Sequence, residues 1–592
     1  NVSVGKDAMQ CNVNGSQNVA LGVKALNSAA SDSFNTAVGY CSGYAMRGGC
    51  YNVALGHSAL KTNTTGADNV AVGSSAMLLN TSGCRNTAMG YATLYTNTTG
   101  CWNTGIGRQA LYSNTTACYN TAVGGNALMT NTTGQYNTAS GYKALFAATT
   151  GSSNTALGTY ALTSNTTGGT GVAVGYKALA NNSTSGGNTA SGWYSLKETT
   201  TGATNTAMGS RSAQYNTTGT LHVAVGYASL WKNTTGTINT AVGAYALQCN
   251  TTASGNVAVG REAGLANTTG CGHVFVGTGA GMTQTTANDV TAIGYVALKD
   301  NTGTQNTAVG AYALTENTTG HSNTANGAYA LQNNTTGCYN AAVGHSALVS
   351  HTTGKFNTGI GTKALQSLTG AGCQNTALGY MAGASGTAIY YNTFVGFCAG
   401  KANTGHANVA VGNFSMANQT SVTHSVAVGG GSLRYNTTGC CNTAFGNSAL
   451  YSNTTGCYNT ASGYSASYSN TTGCNNVSMG FQALSANTTG AHIVAVGYRA
   501  LCCSTTAHGN TAVGPNAMSR TTTGANNVAL GYASMQCNTT GKGNVSVGPN
   551  AMDSNISGCN NTASGYVALY QNTTGCFNTA VGHEALKNNT TA

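Results

Sequence analysis

Charge is the scarcest property of this 592-residue sequence, with Asp, Glu, Lys and Arg together at 5%. Ten acidic residues are too few and too scattered to set up a carboxylate pair for acid–base catalysis. The eleven histidines show no Ser/His/Asp arrangement, and no Asp-rich calcium pattern is present. Lys and Arg give a net charge of +11, spread thinly and without a cluster interleaved with stacked aromatics, so nucleic acid is not an expected partner. No apolar run is long enough for a membrane span, which argues against direct membrane insertion. Twenty cysteines are present but none in CxxC spacing, so no zinc site is expected. Together these absences predict a protein that is not an enzyme, with no catalytic residues, no cofactor and no metal.

What is present is one short unit, repeated. Residues Asn86 to Trp102 read NTAMGYATLYTNTTGCW, and the next seventeen, from Asn103, read NTGIGRQALYSNTTACY. Aligned on this unit the chain contains 35 copies, starting at Asn1 and ending with the copy at Asn578. Copies are 17 residues long except those starting at Val290 and Asn392, with 16, and Asn357, with 18. An unbroken period overrides the several domains that the length alone would suggest, and predicts a single continuous array over residues 1–592. The chain begins without Met and stops inside a copy, which reads as a segment of a longer or processed protein.

The columns of the unit carry the fold argument. Column 2 is Thr in 20 copies and Val in 14, near-isosteric β-branched residues that ask for strand backbone. Column 4 is apolar in 30 copies and column 3 is usually Ala, so columns 2 and 4 share one face of a short strand, and column 2 is read as buried. Column 5 is Gly in every copy, which only a backbone demand explains: positive φ, or an approach too close for a Cβ. Columns 8 and 9, typically Ala-Leu, are read as opening a second short strand. Columns 12 to 15, typically Asn-Thr-Thr-Gly, are turn chemistry.

Seventeen residues with two corners make one coil of a parallel β-solenoid, too short for the two helices of a helical repeat. A lone coil buries too little to fold, so stability must come from stacking coil on coil at about 4.8 Å, giving a rod of roughly 165 Å. The region Asn256 to His424 holds all three length changes and four glycines at column 9: Gly264, Gly281, Gly383 and Gly400. Losing Leu there is expected to thin the core, by repeat drift or as a hinge or binding face.

Two columns offer chemistry. Column 12 carries an Asn-X-Ser/Thr sequon in 21 copies. Candidate glycosylation sites are Asn63, Asn80, Asn97, Asn114, Asn131, Asn165, Asn216, Asn233, Asn250, Asn267, Asn317, Asn334, Asn436, Asn453, Asn470, Asn487, Asn538, Asn555 and Asn572. The reading is an exposed turn that presents Asn to glycans, against an Asn/Thr hydrogen-bonded ladder that satisfies the turn backbone. Column 16 carries Cys in eleven copies, consecutively at Cys84, Cys101 and Cys118, at Cys440, Cys457 and Cys474, and at Cys559 and Cys576. Equivalent Cα atoms in neighbouring coils fall inside disulfide range but their side chains point in parallel, leaving a disulfide or a free-thiol ladder. The Thr pairs raise ice binding, disfavoured because they sit in a turn.

The core NVAVG at Asn256 to Gly260 and SVAVG at Ser425 to Gly429, followed by xxAL, resembles the repeats of trimeric autotransporter adhesin heads. It is similar as well to repeat arrays of phage and large-virus tail fibres. The resemblance covers essentially the whole chain, although the unit here is longer and its NTTG turn and Cys column lie outside that motif. It implies a left-handed β-roll, association with itself as a homotrimer or filament, and an extracellular, cell-surface or virion-surface location. The function it implies is the shaft of a fibre, self-associating and glycan-coated, or alternatively an adhesin that recognises host or cell-surface glycans.

Overall fold

The computed structural model describes residues 1–591 and is a parallel β-solenoid with about 17 residues per coil and, among the described residues, no helix. It divides into two compact units, Asn1–Ile293 and Gly294–Ala592. The first contains strands β1 (Val2–Val4) to β18 (Thr291–Ile293), the second β19 (Thr307–Val309) to β35 (Thr579–Val581). Every strand is three residues, columns 2 to 4, and within each unit consecutive strands pair parallel and in register. Thr87, Ala88 and Met89 face Thr104, Gly105 and Ile106 in the first unit; Thr511, Ala512 and Val513 face Val528, Ala529 and Leu530 in the second.

The strand faces the other way from the sequence reading. Column 3 is the inward residue, as in Ala88, Ala122 and Ala512 at 0% exposure, while columns 2 and 4 point outward and are half-buried to exposed. The small residue goes inside because the coil is narrow. Alanines of columns 3 and 8 and the column-9 Leu or Met make the apolar interior, as in Ala110, Leu111, Ala517 and Met518.

Columns 8 and 9 do not open a second strand. Columns 6 to 11 form a run of turns in which left-handed residues recur at columns 7 and 9, as in Ala92 (φ 52°) and Leu94 (φ 50°). Alternating hand cancels helical winding and aims successive peptide groups at the two neighbouring coils. Ala92 N donates to Ser74 O at 2.9 Å in the preceding coil, and Leu94 N donates to Ala110 O at 2.9 Å in the following one. A bulky residue in this region is strained by about 1–2 kcal/mol. Complete burial of the leucine and the inter-coil bond offset it.

Column 5 is the corner that the sequence predicts. Its glycines have φ between 123° and 141°, and a Cβ would overlap the column-5 carbonyl of the next coil, as at Gly124, where it would sit 2.6 Å from Gly141 O.

The column-9 glycines do not thin the core. Phe275 replaces the usual column-3 Ala, is fully buried, and fills the space that two missing leucines leave. A Cβ on Gly264 would lie 2.6 Å from the Phe275 ring, and one on Gly281 would lie 2.3 Å from it. The arrangement recurs at Phe394 with Gly383, at 2.7 Å, and Gly400, at 2.3 Å. One large side chain thus substitutes for two on neighbouring coils, and the four glycines make room for it.

Candidate functional site

Most coils of the Asn-Thr-Thr-Gly type are closed by two buried asparagines that meet at one carbonyl. In the coil starting at Asn86, column-1 Asn86 Nδ2 donates to Gly100 O at 2.8 Å, and column-12 Asn97 Nδ2 donates to the same oxygen at 3.0 Å. Both side chains also bridge coils. Asn86 Oδ1 accepts the Asn103 N–H at 2.9 Å, and Asn97 Nδ2 donates to Asn80 Oδ1 at 2.8 Å. Such ladders run from coil to coil and satisfy turn backbone that no β-sheet pairs.

This placement corrects the reading of column 12. All nineteen candidate glycosylation sites, from Asn63 and Asn80 to Asn555 and Asn572, are at 0% exposure and point into the coil. A glycan on Nδ2 would cost the amide its carbonyl bond and force the sugar into a packed interior, so the folded coil presents no N-linked acceptor there. Thr hydroxyls continue the ladder at column 13, where Thr98 Oγ1 donates to Thr115 O at 3.1 Å. The side chains that reach solvent are those of column 14, such as Thr99 and Thr133. The column-1 Asn had a visible signal in its recurrence at the head of nearly every copy, yet its role needs the closed coil to be seen.

The column-16 cysteines stack as free thiols. Cys84 Sγ lies 3.0 Å from Cys101 Sγ, and Cys440 Sγ lies 3.3 Å from Cys457 Sγ. Backbone N–H groups point at the sulfurs, with Cys101 N donating to Cys118 Sγ at 3.0 Å, Cys457 N to Cys474 Sγ at 3.2 Å and Cys559 N to Cys576 Sγ at 3.1 Å. Burial pushes the Cys101 and Cys457 thiols up from their ordinary value, which keeps them protonated.

Two histidines stand in for column-1 Asn. His222 Nδ1 accepts the Asn239 N–H at 3.2 Å, and Nε2 lies 3.0 Å from Asn233 Nδ2, beside the Gly236 carbonyl. His273 repeats the Nδ1 contact with Val290 N at 3.3 Å and stacks on Phe275 at 4.8 Å. Burial pushes both pKa values down to about 4, because an imidazolium in the closed coil would be cut off from water. The folded coil therefore favours neutral imidazole. Its stabilisation is complete above the unfolded value near 6.5 and is lost as pH falls towards 4, by about 3 kcal/mol per histidine. Hydrogen exchange corrected for intrinsic rates should show the coils starting at His222 and His273 losing protection between pH 7 and 4. His222→Asn and His273→Asn should flatten that profile, and an unchanged profile would refute the account.

The outer surface carries aromatic stacks in both units, with Tyr119 on Tyr136 at 5.1 Å and Tyr339 on Phe356 at 5.2 Å. The outward sheet face presents Thr or Val at column 2 beside a column-4 row that includes exposed Met89, Ile106 and Val123. Because column 2 lies outside, it is available to solvent, contrary to the sequence reading. Its neighbours vary in size from Ser140 to Phe445, which breaks the uniform hydroxyl lattice that ice recognition would need. Recesses are shallow, lying between side chains of neighbouring coils, as where Asn181, Tyr215 and Lys232 meet. Among the described residues no three His, Cys, Asp or Glu side chains gather to hold a metal, and no helix is long and apolar enough to cross a membrane. No protein-family model matches the chain, and no curated protein matches it.

Proposed function

We propose that this chain is the shaft of an extracellular or virion-surface fibre, assembled by association with copies of itself as a homotrimer. The observation that carries this reading is the outward strand face. Columns 2 and 4 set β-branched and mostly apolar side chains at the same place on successive coils: Met89, Ile106 and Val123 are exposed on three coils in a row, and Leu157 and Val174 on the two that follow Ser140. Contiguous exposed apolar surface of this kind is where proteins associate. A periodic interior without a recess for chemistry suits a structural role, and the resemblance of its core motif to fibre repeats points to the trimer.

Sedimentation equilibrium tests the proposal. The expected mass is three times that of the chain, and Met89→Lys, Ile106→Lys and Val123→Lys together should shift it towards a single chain. Single-chain mass at all accessible concentrations would reject self-association.

A further inference from the structure

Column 7 of the first unit reads Lys143, Tyr160, Lys177, Tyr194, Arg211 in five successive coils, the one place on this column where cations and rings alternate. Lys143 Nζ sits 5.5 Å from the Tyr142 ring and 6.0 Å from Tyr160; Lys177 Nζ sits 5.8 Å from Tyr160 and 5.4 Å from Tyr176; Arg211 Cζ lies 5.0 Å over Trp193. The rings hold each cation in place without neutralising it. Among the described residues none of the three has a carboxylate partner. The one acidic residue in these coils, Glu198, is paired with Lys197 at 2.6 Å.

From this row we infer a binding site for a linear acidic polysaccharide on the coils between residues 137 and 221, with Lys143, Lys177 and Arg211 pairing its anionic groups. Cations on every second coil repeat at roughly 10 Å, twice the inter-strand spacing. That period is close to one anionic group per extended disaccharide. It is far longer than the spacing of nucleic-acid phosphates, about 3.4 Å per strand of a duplex. Single-stranded nucleic acid would also need open ring faces on which to stack bases. Here the cations lie across the rings, and Trp193 is further stacked on Tyr194 at 3.9 Å. Tyr, Thr159 and Ser210 hydroxyls flank the row and offer partners to sugar hydroxyls. The site uses columns 6 and 7, apart from the strand face proposed for self-association, so each reading stands or falls separately.

The test is calorimetric titration of the full chain with hyaluronate oligosaccharides, which carry one carboxylate per disaccharide, against neutral dextran and poly-dT. Hyaluronate should bind and dextran should not. The triple substitution Lys143→Gln, Lys177→Gln, Arg211→Gln should lower affinity at least about tenfold. Lys143→Arg with Lys177→Arg should retain it. Lys355→Gln, Lys363→Gln, Lys401→Gln removes the same charge elsewhere and should leave affinity unchanged. No hyaluronate binding, an equal loss in the two Gln triples, or tighter binding of poly-dT would each overturn the assignment.

Discussion

Gly124→Val is expected to strip hydrogen-exchange protection from the coils on either side of it, by about a hundredfold or more. Two terms add. At φ 130° the residue occupies backbone that is essentially restricted to glycine, a strain of about 1–3 kcal/mol for any side chain. A Cβ there would also sit 2.6 Å from Gly141 O and 2.8 Å from Gly141 C. Backbone atoms cannot rotate away, so the coils must separate, at about 1–3 kcal/mol more. The first bonds lost should be Gly124 N to Ile106 O, at 2.7 Å, and Gly141 N to Val123 O, at 2.8 Å. Gly310→Val should act likewise in the second unit, where the Cβ would meet Gly327 C at 2.6 Å. Protection unchanged in both variants would remove the corner assignment.

Phe275→Ala should cost about 3–5 kcal/mol, the usual price of an emptied aromatic core site. Gly281→Leu alone should be at least as damaging, since its first side-chain atom would fall 2.3 Å from the ring. Combining Phe275→Ala with Gly264→Leu and Gly281→Leu rebuilds the Ala-and-Leu interior of ordinary coils and should recover most of the loss. Such coupling between touching residues is what a mutant cycle measures. Because a repeat array need not unfold in one step, the readout is local exchange over residues 256–289. Losses that simply add would show that the phenylalanine and the two glycines do not share one volume.

The columns differ in how much of this was legible in the sequence. The period, the three-residue strand and the Gly124-type corner could be read because each rests on one residue type meeting one backbone demand. Burial was not legible at Thr87, Ala88 and Met89, because alternation divides a strand into two faces without saying which is inside. The narrowness of the coil decides for alanine, and that is a property of the closed turn. Leu94 reads as strand in the sequence because a bulky residue with positive φ is rare; inter-coil hydrogen bonds and burial override the local preference. Asn97 reads as exposed in the sequence because Asn-Thr-Thr-Gly is ordinary surface turn chemistry. Its inward turn depends on a carbonyl, that of Gly100, which only the finished coil brings within reach. The Phe275 and Gly281 exchange spans two columns, and a column-by-column reading cannot see it.

The asparagine-closed coil also bears on how such a chain changes over generations. The coils starting at Val290 and Asn392 each lack one residue, and each has Asn-Thr-Gly where others have Asn-Thr-Thr-Gly; the extra residue of the coil at Asn357 lies in the same turn. Asn301 still reaches the shortened turn, with Nδ2 donating to Gly303 O at 2.7 Å. Small insertions and deletions are thus absorbed at one corner, while the strand and the inward columns keep their step. Larger ones need no absorption when they are whole ordinary coils, since the edges of such coils match one another; the coils of Phe275 and Phe394 are the exception, each needing a column-9 glycine on the coil before it, Gly264 or Gly383. Unequal recombination between near-identical repeats would then add or remove coils without creating a mismatched junction. Coil number becomes a trait that selection can adjust in single steps, independently of the rules by which each coil folds.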